Sequence, residues 1–328
     1  MNSSGRRNLS NRNLNEDAVR EQYLSAVEPF IQDAVIALDF SEIRKDYSEK
    51  QEWLCDIWDN SRKEKARGYW LLNIEAVDGE GKHFPLWLEP FSQVAEGYKS
   101  QAHVVKRGMQ RVASHAGKDC VWVLDRGFDG TGYVQMLEDA GLIYCIRQVG
   151  KRNVIDSHGE LLSTAALAEQ VETPHRGTWR QVKDGKEYPH SFRYGSRIVT
   201  FPKDGRKRRL IVVRSGNRAP MMLLTNALNG SARRYVIAYL KRWGIEEGTR
   251  LVKQIFDLEN VRAMSFAGIR RLTLFAYLAY GFLFLFAKRI GKDGLRFVPL
   301  YKSFGETPHF LYYRLAWAVS LALLRAGP

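Results

Sequence analysis

Apolar residues recur along this chain in short runs, and two of those runs end abruptly in an acid. Residues 34–38 (AVIAL) are uninterrupted and end at Asp39, and residues 120–124 (CVWVL) end at Asp125 in the same way. Runs of this length and composition read as buried strands. Residues 69–77 (YWLLNIEAV) and 84–88 (FPLWL) flank a turn-like DGEGK and predict a hairpin. With the first run they make three consecutive strands. Asn15 is placed to cap a helix over about residues 16–32. Residues 94–113 have helical spacing, with Val104, Val105, Met109 and Val112 apolar. Residues 132–140 predict a short helix and residues 142–146 a further strand. The order is β-β-β-α-β-α-β.

The pattern changes at about residue 151. Apolar positions thin out to residue 220, and Asp184-Gly185 and Asp204-Gly205 have the composition of hairpin turns. Strands are predicted over residues 178–182, 191–201 and 210–213, so this stretch reads as a β-rich insertion. Core-strand character returns at residues 221–224. One long helix is predicted over residues 231–255, then an uncharged helix over 272–287, then an amphipathic stretch over 310–324. The division is therefore a polar segment and helix (1–33), a first core part (34–150), the insertion (151–220), a second core part (221–295) and a C-terminal helical segment (296–328).

Charge narrows the partners. Lys and Arg number 50 against 36 Asp and Glu, a net charge of +14. An excess of this size favours polyanions: DNA, RNA or an anionic membrane. Arg206, Lys207, Arg208 and Arg209 form a dense cluster inside the insertion and are expected to bind DNA phosphates. The run at 272–287 is shorter than the ~20 residues a bilayer core needs, so a buried core helix is expected and no membrane partner. The N-terminal residues contain no apolar core of a signal peptide. Cys55, Cys120 and Cys145 are odd in number, far apart and outside any CxxC, as in reduced cytoplasmic proteins. The seven histidines have no paired spacing, which argues against zinc.

Two strands ending in Asp place carboxylates beyond the ends of buried strands, where ligands of α/β sheets bind. A hard, oxygen-seeking cation such as Mg²⁺ or Mn²⁺ would relieve their repulsion. In YLKRWGIEEGTRLVK, Tyr239, Arg242, Glu246 and Lys253 fall within an arc of about 60° at ~100° per residue of helix. Arg242 and Glu246 at i,i+4 also fit a plain salt-bridge stripe.

This Tyr-x2-Arg-x3-Glu-x6-Lys spacing resembles the signature of DDE transposases of bacterial insertion sequences, in the Tyr-Arg-Glu-Lys group. LDFSEI around Asp39 resembles the first Asp motif of that family, and LDRGFD around Asp125 its second. The resemblance spans about residues 34–260. It implies a ribonuclease-H-like α/β fold, a mixed sheet with flanking helices interrupted by a β-rich insertion before the Glu helix. It also implies two Mg²⁺ ions (Mn²⁺ as substitute) held by Asp39, Asp125 and Glu246, with Tyr239, Arg242 and Lys253 gripping a DNA phosphate. Double-stranded DNA at transposon ends and target would be the substrate, a homodimer the form on DNA, and the cytoplasmic nucleoid the place. A stand-alone DDE nuclease that cuts without integrating is the alternative. Two departures stand out. Only 38 residues precede Asp39 where relatives usually carry a DNA-binding region, so end recognition is expected in the basic insertion or the C-terminal region. Met221 or Met222 stands where some relatives place a Trp that takes up a flipped base.

Overall fold

The two apolar runs that end in acids become neighbouring parallel strands at the centre of one mixed sheet. The computed structural model describes residues 14–59, 62–183 and 186–295, and positions 312, 315–316 and 318–320. The chain enters through α1 (Glu16–Val27), where the Asn15 side chain accepts from the Ala18 amide at 3.1 Å. The helix stops short of the expected residue 32. Pro29 has no amide to continue it, and a single 3-10 turn (Glu28–Phe30) follows.

β1 (Val35–Arg44) runs well past the apolar stretch. Its polar second half stays extended because it pairs antiparallel with β3 (Glu64–Val77) along its full length. Between them lies β2 (Cys55–Asp59), so four strands open the sheet and not three; its alternating Cys55 and Ile57 are the buried face. β4 (His83–Phe91) completes the expected hairpin with β3. Helix α2 (Gln101–Ala113) starts seven residues later than the spacing suggested. Gly97 takes φ +77° in the preceding turn, and the cap is Ser100, which accepts from the His103 amide. β5 (Val121–Leu124), α3 (Thr131–Asp139) and β6 (Ile143–Arg147) follow as expected.

The 151–220 stretch holds β7 (Asn153–Ile155), β8 (Leu161–Ser163), a short helix α4 (Thr164–Gln170), β9 (His175–Lys183), β10 (Lys186–Thr200) and β11 (Lys207–Arg214). The first three were not expected. These strands do not fold apart from the core. β12 (Met221–Thr225) pairs with β6 on one side and β11 on the other. The sheet therefore continues in the order β2-β3-β1-β5-β6-β12-β11-β10-β7-β8, with β4 also on β3 and β9 also on β10. Among the described strands, only β1, β5 and β6 are parallel to one another.

The predicted long helix is two, α5 (Ala232–Lys241) and α6 (Gly244–Ile255). At the junction the Arg242, Trp243, Ile245 and Glu246 amides bond three residues back rather than four, a tightened turn that re-aims everything after it. Helix α7 (Phe266–Leu295) extends well beyond the 272–287 run and kinks at Gly291. By length and composition it could cross a membrane, yet half of its most apolar window is buried inside the fold. Tyr277 and Tyr280 are fully buried on it, and the Tyr277 hydroxyl donates to the Leu86 carbonyl of β4. One apolar cluster fills the sheet face under α1, α2, α3 and α7. A smaller one lies between the other face and α5. The expected C-terminal stretch 310–324 falls mostly outside the described residues, as does most of the polar N-terminal segment.

Candidate active site

Asp39 lies midway along β1, and its Cα partner on β3 is Asn73. Alternation puts Asp39, Asn73 and Glu75 on the sheet face that α6 covers. Asp125 follows the last residue of β5, where the chain leaves the sheet into a single 3-10 turn (Arg126–Phe128). The buried Phe128 ring of that turn stacks on Phe40, next to Asp39, at 5.0 Å. Glu246 sits in the first turn of α6. All three acids line one cleft of about 1090 Å³.

Arg242 stands in the middle of them. Its guanidinium is 3.1 Å from Asp39 Oδ2 and 3.7 Å from Glu246 Oε1, and its side chain is only 6% exposed. Tyr239 is buried, and its hydroxyl donates to Asp125 Oδ1 at 3.0 Å. Arg147 approaches the same oxygen at 4.0 Å. Desolvation pushes the Asp39 carboxyl up to about 6, against the pull of Arg242 and the Phe40 amide, and the charges of Asp125 and Glu246 add to the rise. Asp125 goes the other way. Burial acts to raise it, but the Arg126 amide, Arg242 and the Tyr239 hydroxyl together hold it below its ordinary value.

Among the described residues no three His, Cys, Asp or Glu side chains form a closed ligand cluster. The space between Asp39 and Glu246 is taken by Arg242. The donor chemistry nevertheless fits a hard cation. Three carboxylates open onto one cleft, and the repulsion from Asp125 and Glu246 that adds to the desolvation of Asp39 is what a divalent ion would remove.

In the structure the other candidate residues are mostly held by partners within the chain. Tyr239 and Arg242 do not present themselves to solvent as phosphate grips: one is hydrogen-bonded to Asp125 and the other is ion-paired with Asp39. Lys253 lines the cleft but pairs with Glu42 Oε1 at 3.1 Å and lies 3.8 Å from Glu259. Glu247 turns aside to Arg250 at 2.8 Å. Asp129 holds Arg152 at 2.6 Å and the Val149 amide at 2.7 Å. Trp179 packs on the α5 side of the sheet, while Trp243 remains half exposed.

The basic cluster changes most. Arg208 is buried, stacked 3.9 Å from the Phe201 ring, and paired with both Glu138 and Asp204. Arg206 also pairs with Glu138, and Arg209 donates to Ser196 Oγ and the Gly230 carbonyl. Lys207 is exposed. These residues begin β11 at the end of the sheet away from the cleft, where Tyr144 lies near the start of β6. A structural ion-pair network accounts for Arg208, and hydrogen bonds to Ser196 and Gly230 occupy Arg209.

The residues missed in sequence are those that hold α6. Asn73 donates to Glu75 Oε1 and to Thr249 Oγ1, both at 2.9 Å. Glu75 is wholly buried, its carboxyl pushed up to about 8 by desolvation. The available signal was two polar residues at alternate positions in the apolar run YWLLNIEAV.

The family model for the transposase DDE domain matches residues 31–282. No curated protein matches the chain. Among solved structures, a piggyBac transposase in a synaptic complex with hairpin DNA is similar at a TM-score of 0.47 and 11% identity, over 90% of this chain and 54% of that one. The chain thus spans about half the length of that protein. Members of the matched family generally use divalent metal ions. With three motif acids on one cleft and a match covering most of its length, this chain belongs to the transposase DDE domain family.

Proposed function

We propose that the chain is a DNA transposase that cuts transposon ends and joins them to target DNA by metal-dependent phosphoryl transfer. The observation that carries this reading is the meeting of Asp39, Asp125 and Glu246, far apart in sequence, on one cleft. When bound, two Mg²⁺ ions held by these carboxylates would activate the attacking oxygen and neutralise charge on the leaving one.

The protein's own contribution is positioning. Tyr239 fixes the Asp125 carboxylate through its hydroxyl, and Arg242 ties β1 to the α5–α6 junction. Asn73 and Thr249 hold the turn of α6 that follows Glu246. Lys253 and Arg250 line the outer part of the cleft, where a DNA phosphate would enter. Joining two ends requires two such sites, so a homodimer on double-stranded DNA is part of the proposal.

The test is cleavage of duplex DNA in Mn²⁺ by the wild type and by Asp39→Asn, Asp125→Asn and Glu246→Gln. Each amide keeps the shape and removes the charge that would hold the ion. All three should abolish cleavage with folding intact, while Glu247→Gln retains most of it. Near-normal cleavage by any of the three amides would remove that acid from the site. A strand-transfer assay on the same preparations separates a transposase from a nuclease that only cuts.

A further inference from the structure

The strands of residues 151–220 place three arginines side by side. Arg176 of β9 is the Cα partner of Arg193 of β10, and Arg193 is the partner of Arg214 of β11. Directly opposed residues share a sheet face, and neighbouring strands are ~4.8 Å apart. The three side chains therefore form a row across three strands. Like charges directly opposite one another are destabilising unless something balances them.

Among the described residues, that balance is incomplete. Arg214 lies 3.4 Å from Glu169, which is itself 67% exposed, and it donates to the Ala168 carbonyl at 2.7 Å. Arg193 donates Nε to the Thr173 carbonyl at 3.1 Å. The Arg214 bond serves the end of α4, where cations meet helix carbonyls favourably, and the Arg193 bond holds the segment after it. They explain Arg214 and one nitrogen of Arg193. Among the described residues, neither Arg176 nor Arg193 is paired with a carboxylate, and both are exposed.

β12 lies antiparallel to β6 with Leu223 opposite Arg147, and Val213 of β11 is opposite Met221. The row thus lies at the end of the sheet where β5 and β6 terminate, on the face opposite Asp39 and Asp125: Phe192, Tyr194 and Val213 beside it pack with Val35 and Ala37 on the α5 side, so the row points to the α4 side. Beyond the row, β9 and β10 pair only with each other, because β11 reaches no further than Arg193. They leave the sheet there as a two-stranded ribbon with Arg180 and His190 exposed.

We propose that Arg176, Arg193 and Arg214 form a phosphate-binding row that holds the backbone of duplex DNA where it passes the end of the sheet beyond the cleft. Arg176 and Arg193 stand exposed in a row across neighbouring strands, so the ligand is a polyanion of repeating phosphates and not a free nucleotide. Arg193 and Arg176 supply the contacts that respond to salt, and Arg214 divides itself between DNA and α4. The choice of DNA rests on the transposase reading.

The experiment uses the full chain and the double variant Arg176→Ala/Arg193→Ala. Binding to an arbitrary duplex of about 40 base pairs is followed by fluorescence anisotropy between about 50 and 200 mM salt. Two lost phosphate contacts should lower the slope of log K against log salt by about 1.8. The melting temperature should hold, and Arg176→Lys/Arg193→Lys should restore the slope. If the wild type binds and cuts DNA in Mn²⁺ and the Ala variant keeps its slope, the row is overturned while the functional reading stands. If the wild type binds no duplex, both fall.

Discussion

The guanidinium of Arg242 lies among the carboxylates to which the functional reading assigns a bound cation. Its spacing from Glu246 in sequence suggested an exposed i,i+4 pair, which contributes about 0.3–0.5 kcal/mol. The structure puts it in a different regime. Arg242 is 6% exposed, and its closer partner is Asp39, more than two hundred residues earlier. Removing one partner of a buried pair typically costs 3–5 kcal/mol. Asp39 keeps 30% exposure through the cleft and takes up a proton more readily than a normal acid, which reduces the penalty. Arg242→Ala should therefore destabilise by about 2 kcal/mol at neutral pH, several times the exposed-pair value. Urea unfolding of the variant measures this directly, and a loss below 0.5 kcal/mol, the exposed-pair value, would return Arg242 to the surface. Mn²⁺ should bind at least as well without it, since a fixed cation repels the ion; isothermal titration would register weaker binding if Arg242 instead organises the acids.

At the scale of elements, the orientation of α6 decides where Glu246 points. Gly244 and Gly248 lie one turn apart on the face toward the sheet. A Cβ on Gly248 would meet Glu75 Oε1 at 2.1 Å, and one on Gly244 would meet the His83 ring at 1.9 Å. Glu75 has no free space to swing into, being fully buried and bonded to Asn73. Gly248→Ala gains up to about 1 kcal/mol of helix propensity but overpacks the interface at a cost of about 1–3 kcal/mol. The variant should lose about 1 kcal/mol net and lose DNA cleavage out of proportion, because α6 must lift. Adding Glu75→Asp, one methylene shorter, should recover part of both; a Gly248→Ala protein with normal cleavage would mean that α6 is not docked through this contact. This docking also marks the limit of what the sequence made legible. The strands carrying Asp39 and Asp125 were readable because uninterrupted apolar runs are a local signal. β2, β7 and β8 are short and paired only through neighbours, so they left none. The α5–α6 break was hidden because Arg-Trp-Gly is compatible with a continuous helix, and only contact with β3 and β4 selects the tightened turn. Arg208 read as a phosphate ligand because charge density is visible in sequence while burial against Glu138 is not.

For the molecule as a whole, the buried polar layer between the sheet, α6 and α7 links global stability to pH. Glu75 is contacted by Asn73, by the Tyr280 hydroxyl at 3.4 Å, and by His83 at 4.0 Å, with Asp39 adding a like charge. Desolvation raises its pKa to about 8, against 4.5 for an ordinary Glu. The folded state thus holds a proton that the unfolded chain releases near pH 4.5. By linkage, stability falls as pH rises between these two values, at about 1.4 kcal/mol per unit from this group alone. His83 has the opposite sense. Burial lowers it to about 4, so its contribution grows with pH up to its ordinary value of 6.5 and is constant above. Above pH 6.5 the Glu75 term stands without that offset. Glu75→Gln is a neutral mimic of the protonated acid and cannot titrate. Melting temperatures of wild type and variant, followed from pH 5 to pH 8.5, should start close together. The variant should gain on the wild type by several degrees over that range, most of the change falling between about pH 6 and 8. The His83 contribution cancels in the comparison because both proteins carry it. A gap that stays constant across the series would mean that Glu75 is ionised in the folded protein at neutral pH. The layer beneath α6 would then be a charged network, and α6 would be held by Glu75 as an anion.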